Sequence, residues 1–163
     1  MAFIGRPILP APPVDSPPMG RILCIDYGTK RHGLALSDGL RMTARGIEVF
    51  ERPRTRAEEF GHLAALVKEH EVDLVVMGLP LNMDGTPGTH HPEVLKYAEA
   101  LTAFLKIDIH LVDERQTTLQ AKSHIARTGT GGWRKRKERL DAVAAAIILQ
   151  TYLHGGSPSP EEE

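Results

Sequence analysis

The sequence predicts an α/β domain, in which a β-sheet is covered by helices. Three features favour this class: two apolar runs joined by a glycine-bearing turn, a helical pattern followed by a continuous apolar run, and a long apolar helical pattern near the end of the chain. The first feature is typical of a β-hairpin. A helix that leads into a buried strand is typical of a parallel sheet, so helices are expected on the faces of the sheet.

Length and composition predict one soluble domain with disordered ends. The chain has 163 residues, 41% of them hydrophobic, and a net charge of −1. No apolar run is long enough to span a bilayer. The single cysteine, Cys24, lies inside an apolar run, which excludes an internal disulfide and favours the reducing cytoplasm. We expect the folded domain at residues 21–154, between a proline-rich disordered arm at 1–20 and a disordered acidic tail at 155–163.

The hairpin at residues 21–38 is the stretch that points to chemistry. Its first apolar run, residues 22–25, does not alternate, which predicts a strand buried on both faces. That run ends on Asp26, and a carboxylate there is costly unless something pairs with it. Lys30 and Arg31 in the following turn suit an anionic substrate. The alternative is that Asp26 only caps the turn.

Apolar spacing predicts the remaining elements in order. They are a strand within 42–50, a helix at 56–70, a strand at 74–77, a helix after Pro92 and a strand at 108–112. A short helix from Thr117 or Thr118 to about Ala126 and a final helix with apolar residues from Leu140 to Tyr152 follow. The helix at 56–70 carries Glu58 and Glu59 near its start, where they match the helix dipole. The loop at 78–88 leaves a strand end and carries Asn82. Ligands bind at such strand ends in open α/β sheets.

Acidic residues recur where a strand end or a core-facing position is predicted. Asp26 ends one strand, Asp113 and Glu114 end another, and Asp141 lies in the first turns of the final helix. Helical spacing places Asp141 on one face with Ala145 and Ile148. The alternative for Asp141 is compensation of the helix dipole. If the acids converge, they repel one another unless cations bind, and an all-oxygen site favours Mg²⁺ or Mn²⁺.

Basic residues supply the counterpart for a nucleic-acid backbone. Arg134, Lys135, Arg136 and Lys137 form a dense cluster, of the kind that binds phosphates. A solvated helix end is the alternative for this cluster. Trp133 beside it is a candidate for stacking on a base, or else a packing residue. The histidines lack zinc-ligand spacing, and neither a complete phosphate-binding loop nor a nucleophilic triad is present.

Four segments together resemble one known family. They read IDYGTKR at 25–31, GLPLNMDG at 78–85, DERQTT at 113–118 and DAVAA at 141–145. In this order and spacing the chain resembles the YqgF family, also called RuvX, over about residues 21–153. Members are described as pre-16S ribosomal RNA nucleases or Holliday junction resolvase-like proteins.

The resemblance implies an RNase H-like fold with a mixed central β-sheet flanked by helices, in which three antiparallel strands come first. It implies a metal-dependent nuclease acting on RNA, in 5′-end maturation of pre-16S rRNA, as a monomer or homodimer. By position, Asp26, Glu114 and Asp141 match the acidic triad that would bind Mg²⁺ or Mn²⁺. The choice between Asp113 and Glu114 stays open, because adjacent strand residues point to opposite faces. The expected substrate-binding residues are Lys30, Arg31, Asn82, Arg115, Arg134, Lys135, Arg136 and Lys137.

Three alternatives to an RNA nuclease stay open at this point. Junction resolvases carry an acid at the end of the fourth strand, whereas this strand ends on Met77-Gly78-Leu79-Pro80. That difference argues against junction resolution in DNA more than against the fold. A binding factor without catalysis would use the basic cluster alone. The D-x-G-T pattern also occurs in actin-like ATPases, but those need two such domains, and this chain is too short.

Overall fold

The computed structural model describes residues 20–79, 91–113 and 133–154, with the side chains at 79, 113 and 133–141 left undescribed. Five strands and flanking helices occur in this part of the chain. The strands are β1 (Arg21–Asp26), β2 (Arg31–Ser37), β3 (Ala44–Glu51), β4 (Val72–Leu79) and β5 (Asp108–Asp113), and the helices are α1 (Arg56–Glu69), α2 (His91–Leu105) and α3 (Trp133–Leu153). The described helices include none long and apolar enough to cross a membrane.

The sheet is mixed, with the strand order β3-β2-β1-β4-β5. β1, β2 and β3 pair antiparallel, and β4 and β5 continue the sheet parallel to β1. The carboxyl ends of β1, β3, β4 and β5 therefore lie together at one end of the strands, which we call the carboxyl edge of the sheet. This arrangement confirms the predicted α/β class, the mixed sheet flanked by helices and the three leading antiparallel strands of an RNase H-like fold.

Alternation along the strands divides the core between the two faces of the sheet. Leu23 and Ile25 of β1 belong to the cluster that α1 and α2 cover, together with Leu63 and Tyr97 of those helices. Ile22 and Cys24 point the other way. They pack in a second cluster whose helical members are Ala145, Ile148 and Leu149 of α3. β1 is thus buried on both faces, as its uninterrupted apolar run predicts.

Helix α1 begins at the predicted residue and ends close to the predicted one. The Thr55 hydroxyl accepts a hydrogen bond from the Glu58 backbone N–H at 3.2 Å, which is a standard N-cap. The helix ends at Glu69, one residue before the predicted end, and His70 forms its C-cap.

Two predicted positions need correction. The third strand begins at Ala44 rather than at residue 42, because the Asp38 carboxylate accepts hydrogen bonds from the Met42 and Thr43 backbone N–H groups and holds them in a turn. The final helix begins at Trp133, so Asp141 is its ninth residue and not part of its first turns. The effect of the helix dipole falls off within one turn, so dipole compensation does not account for Asp141.

Candidate functional site

Asp26 lies at the carboxyl edge of the sheet on the face that α3 covers. Ile22 and Cys24 of the same strand pack against α3, and the two-residue period of a strand places Asp26 on their face. The residue is partly exposed, in contrast to the four buried residues before it. Its register partner on β2 is Gly33, which has no side chain to cover that flank of the carboxylate.

Helix α3 runs from this edge towards the opposite edge of the sheet. The Gln150 amide oxygen accepts a hydrogen bond from the Ala44 N–H at 3.2 Å, at the start of β3. Nearer its beginning, the helix lies against Gly46, where an added Cβ would come within 3.0 Å of the Ala142 carbonyl oxygen. Gly46 of β3 pairs with Ala35 of β2, and Ala35 pairs with Cys24 of β1, so Gly46 and Cys24 lie at the same height along the strands. Moving back along α3 from Gln150 to Ala142 therefore moves towards the level of Asp26.

The helical position of Asp141 belongs to this same region. It directly precedes Ala142 and lies one turn before Ala145, which is fully buried against the sheet. The backbone thus brings residue 141 to the face of the sheet that carries Asp26, in the half of α3 that leads towards the same edge.

Several predicted site residues lie beyond what the structure describes. Glu114, Asn82 and Arg115 fall in the undescribed segments, as does the predicted short helix up to Ala126. Arg134, Lys135, Arg136 and Lys137 form the first turns of α3, and only their backbone is described. Among the residues with described side chains, no group of three His, Cys, Asp or Glu residues is placed to hold a metal ion.

Lys30 and Arg31 lie beside Asp26 at the carboxyl edge of the sheet. Lys30 is exposed in the turn between β1 and β2, and Arg31 is partly exposed as the first residue of β2. Arg31 is in register with Glu51, the last residue of β3. Both predicted cationic residues are therefore within the turn region that follows the acid.

A buried ionic network lies under the same turn, and sequence reasoning missed it. His32 and Glu59 are 0% and 2% exposed, and His32 Nε2 is 3.1 Å from Glu59 Oε1. Arg52 Nε donates to the same Glu59 oxygen at 2.6 Å. We call these residues the His32–Glu59–Arg52 network. A signal was present in the sequence: Glu59 precedes Leu63 by one helical turn and so shares its buried face.

The protonation states in the network follow from its contacts. The Gly28 N–H donates to His32 Nδ1 at 3.1 Å, so the ring proton sits on Nε2 and is donated to Glu59. Burial lowers the pKa of His32, and this effect outweighs the attraction of the Glu59 carboxylate. Burial opposes ionisation of Glu59, but hydrogen bonds from His32 and Arg52 outweigh it and hold the pKa of Glu59 below its usual range. A neutral histidine thus joins a carboxylate–guanidinium pair.

Aromatic rings enclose the network on the side of α2. The guanidinium carbon of Arg52 lies 5.1 Å from the Tyr27 ring centroid and 5.6 Å from that of Tyr97. Tyr27 and Tyr97 meet edge to face at 5.1 Å. The Tyr97 hydroxyl is buried with no hydrogen-bond partner in the described residues, and burial raises the pKa of Tyr97 far above its ordinary value.

Comparison with known proteins places the chain in a family. The sequence profile of RuvX, described as a Holliday junction resolvase, matches residues 20–155. The chain belongs to the RuvX family. A relative from Halalkalibacterium halodurans, named "Putative pre-16S rRNA nuclease", is 41% identical over 134 residues, which are 82% of this chain and 95% of the relative. A relative of the same name from Anaeromyxobacter sp. (strain Fw109-5) is 42% identical over 135 residues, 83% of this chain and 97% of the relative.

Membership in RuvX confirms the family predicted from the four sequence segments and, with it, a nuclease that hydrolyses phosphodiester bonds. Among solved structures, RuvC from Thermus thermophilus in complex with a Holliday junction substrate aligns with a TM-score of 0.49. It is 14% identical, and the alignment covers 83% of this chain and 96% of RuvC.

Proposed function

We propose that this member of the RuvX family is a metal-dependent nuclease that acts on RNA, in 5′-end maturation of pre-16S rRNA in the cytoplasm. The position of Asp26 carries the proposal: a partly exposed carboxylate at the carboxyl edge of the sheet, on the face where α3 carries residue 141. The names of the relatives from Halalkalibacterium and Anaeromyxobacter support RNA as the substrate.

Strand parity supports Glu114, rather than Asp113, as the acid from β5. Val112 packs in the cluster under α3, whereas Ile109 and Leu111 pack on the α1 and α2 side. Position 113 therefore falls on the α1 and α2 side of the sheet by alternation. Glu114 lies outside the described residues, and we assign it to the site by its place in the sequence, two residues after Val112. We propose that Asp26, Glu114 and Asp141 together form the site.

The donor set of this proposed site fits a hard divalent cation. Three carboxylates offer oxygen atoms only, which Mg²⁺ and Mn²⁺ prefer. Asp26 is partly exposed, so a hydrated ion can approach it without unfolding the strand end. When bound, such ions supply an activated water and neutralise charge on the phosphate. Asp26, Glu114 and Asp141 would hold such ions.

The basic residues bind and orient the nucleic-acid backbone. Lys30 and Arg31 follow Asp26 within the turn and the start of β2, which places positive charge next to the proposed acid site. We assign the same role to Asn82, Arg115 and the cluster from Arg134 to Lys137. Contacts of this kind position a phosphate without reading a base, so specificity for an rRNA end requires RNA shape as well.

A cleavage assay on structured RNA and on four-way DNA junctions tests the proposal, with Mg²⁺, Mn²⁺ or chelator at a stated salt concentration. We expect cleavage of RNA that needs the metal and is faster than cleavage of the junction. Preferential cleavage of the junction would instead support a resolvase, the function in the family's description. Binding that persists in chelator, with no product under any metal condition, would indicate a binding factor and contradict the proposal.

A further inference from the structure

The turn that joins β1 to β2 is tied to the His32–Glu59–Arg52 network at consecutive backbone positions. Gly28 makes two of these bonds: its N–H donates to His32 Nδ1 at 3.1 Å, and its carbonyl oxygen accepts from Arg52 Nη1 at 3.2 Å. Arg52 Nη1 also reaches Thr29 O at 3.4 Å, and the Arg52 backbone N–H donates to Lys30 O at 3.0 Å. One arginine therefore contacts three successive carbonyl oxygens.

The turn has little room to adopt another shape. A Cβ added at Gly28 would lie 2.0 Å from the Arg31 carbonyl oxygen, so only glycine fits there. Arg52 also donates to the Tyr27 hydroxyl at 3.0 Å. The residues next to Asp26 are thus fixed on the α1 and α2 side of the sheet, while Asp26 itself faces α3.

Burial of an ionic network costs free energy, so its presence under the turn requires an explanation. Burying His32 and Glu59 removes polar groups from water, and well-packed apolar residues stabilise a core equally well or better. The network has no access to the proposed metal site, because Asp26 lies on the opposite face of the sheet. What the network contacts is the backbone of the turn between the proposed metal ligand Asp26 and the proposed phosphate-binding residue Lys30.

We propose that Arg52 is a positioning residue for cleavage: anchored by Glu59, it holds the β1–β2 turn so that Asp26 and Lys30 keep a fixed spacing when nucleic acid binds. This inference rests on the proposed nuclease function. A lysine at position 52 would keep the charge, but its single ammonium group cannot reach Glu59 and the carbonyls of Gly28 and Thr29 together, because only the planar fork of arginine presents donors in several directions.

The test compares Arg52→Lys with two controls in the full-length protein. Leu63→Ala removes a fully buried core side chain and destabilises the fold without removing a hydrogen-bond donor to the turn. Arg45→Lys makes the same exchange at an exposed position near the opposite edge of the sheet. The measurements are kcat and KM for RNA cleavage in Mn²⁺, RNA affinity in chelator, and hydrogen exchange of the Gly28 amide. All are made at a temperature where circular dichroism shows every variant folded.

We expect Arg52→Lys to lower kcat by about tenfold to a hundredfold, because the loss of a contact that orients a metal ligand has an effect of this size. RNA affinity in chelator should change less than about threefold. Exchange of the Gly28 amide should accelerate in this variant only. Leu63→Ala and Arg45→Lys should keep the wild-type kcat.

Two outcomes would overturn the inference in different ways. If wild-type protein cleaves RNA, and Arg52→Lys matches its kcat or loses no more than Leu63→Ala, Arg52 has only a structural role and the nuclease proposal stands. If wild-type protein cleaves nothing with either metal, the nuclease proposal fails and the inference fails with it. Faster exchange at Gly28 would then show only that Arg52 orders the turn.

Discussion

The face of the sheet under α1 and α2 is closed by aromatic and aliphatic side chains around a buried ionic network. The face under α3 is closed by small and aliphatic side chains, with Tyr152 packed against them, and ends on a carboxylate. On the first face the Glu59 carboxylate accepts hydrogen bonds from both Arg52 and His32, which belong to the same domain. On the second face Asp26 is partly exposed at the sheet edge, beside the side-chain-free Gly33.

The carboxyl end of β1 contributes side chains to both faces. β1 presents Asp26 to the α3 face, and the next residue, Tyr27, packs on the α1 and α2 face. The α1 and α2 face holds the turn that follows β1 through the buried network, and the α3 face carries a partly exposed carboxylate.

Asp26→Asn carries the largest expected effect. It keeps the size of the side chain but removes its charge, so metal-dependent cleavage should fall by more than about a hundredfold, beyond the loss caused by an outer-sphere contact. The thermal unfolding midpoint should change little, because the residue is partly exposed. Cleavage kinetics and calorimetry on the same preparation check both statements.

Asp108→Asn is the matched control for that variant. Asp108 is an exposed aspartate at the start of β5, at the end of the sheet opposite Asp26. It precedes Val112 by four residues, so strand alternation puts both residues on the α3 face. Its cleavage rate should equal that of the wild type. Equal losses in the two variants would mean that the two edges of this face do not differ in function.

Glu59→Ala should have the largest effect on stability. It leaves Arg52 and His32 without their shared acceptor inside the core, and breaking a buried pair in this way costs about 3–5 kcal/mol. The partly exposed His62–Glu48 pair serves as the comparison, since Glu48→Ala should cost less than about 1 kcal/mol. Urea unfolding of both variants gives the two values, and similar values would remove the distinction between a buried network and a surface pair.

Gly46→Ala should act on the α3 face with an intermediate effect. The added methyl group meets the Ala142 carbonyl oxygen at 3.0 Å and its Cβ at 3.1 Å, so the helix must move away from β3. Overpacking of this kind costs about 1–3 kcal/mol. Cleavage should fall further than stability explains, because α3 carries Asp141. Gly39→Ala, where an added Cβ contacts nothing within 4 Å, should leave both quantities unchanged.

Lowering the pH should reduce the free energy of unfolding first through His32, on the α1 and α2 face. Because the pKa of folded His32 lies below its ordinary value of 6.5, the unfolded chain binds a proton that the folded chain does not. The free energy of unfolding is therefore highest above pH 6.5 and decreases as the pH falls from 6.5 to the folded pKa. The groups facing His32 are Glu59, Arg52, Tyr27, Tyr97 and the Gly28 N–H.

His32→Gln checks this pH dependence. Its amide can still accept from the Gly28 N–H and donate to Glu59, but it does not titrate. Unfolding in urea at several pH values should show a smaller slope below pH 6.5 for the variant than for the wild type. Parallel curves would contradict the assignment. A further loss below about pH 4.5 is expected in both proteins, because the pKa of Glu59 is also lowered.

Most of the architecture is predictable from the sequence because local patterns decide it. The unbroken apolar run before Asp26 predicts a doubly buried strand, and helical spacing with Glu58 and Glu59 near its start predicts α1. The start of β3 is not predictable in this way. Its residues 42 and 43 look strand-like, but the Asp38 side chain competes for their backbone N–H groups.

Long-range pairing is what sequence patterns leave open. His32, Arg52 and Glu59 lie on a strand, a connection and a helix, and no short spacing joins them. Glu59 in particular fits the simpler role of matching the helix dipole, together with Glu58. Its spacing from Leu63 indicates a core-facing position, but only the crossing of α1 over the sheet brings Glu59 to His32 and Arg52. The candidate acids stay a prediction for a related reason: they come from distant segments, and position along each strand fixes a face but not a distance.

The most direct test of the central claim, that three acids act as one metal site, is a comparison of single and combined variants. Asp26→Asn, Glu114→Gln, Asp141→Asn and the triple variant are assayed for RNA cleavage and for Mn²⁺ binding by calorimetry. Groups that act as a unit are strongly non-additive, so each single variant should lose nearly as much activity as the triple variant. Independent, additive losses, or full Mn²⁺ binding and activity in any one single variant, would contradict the account.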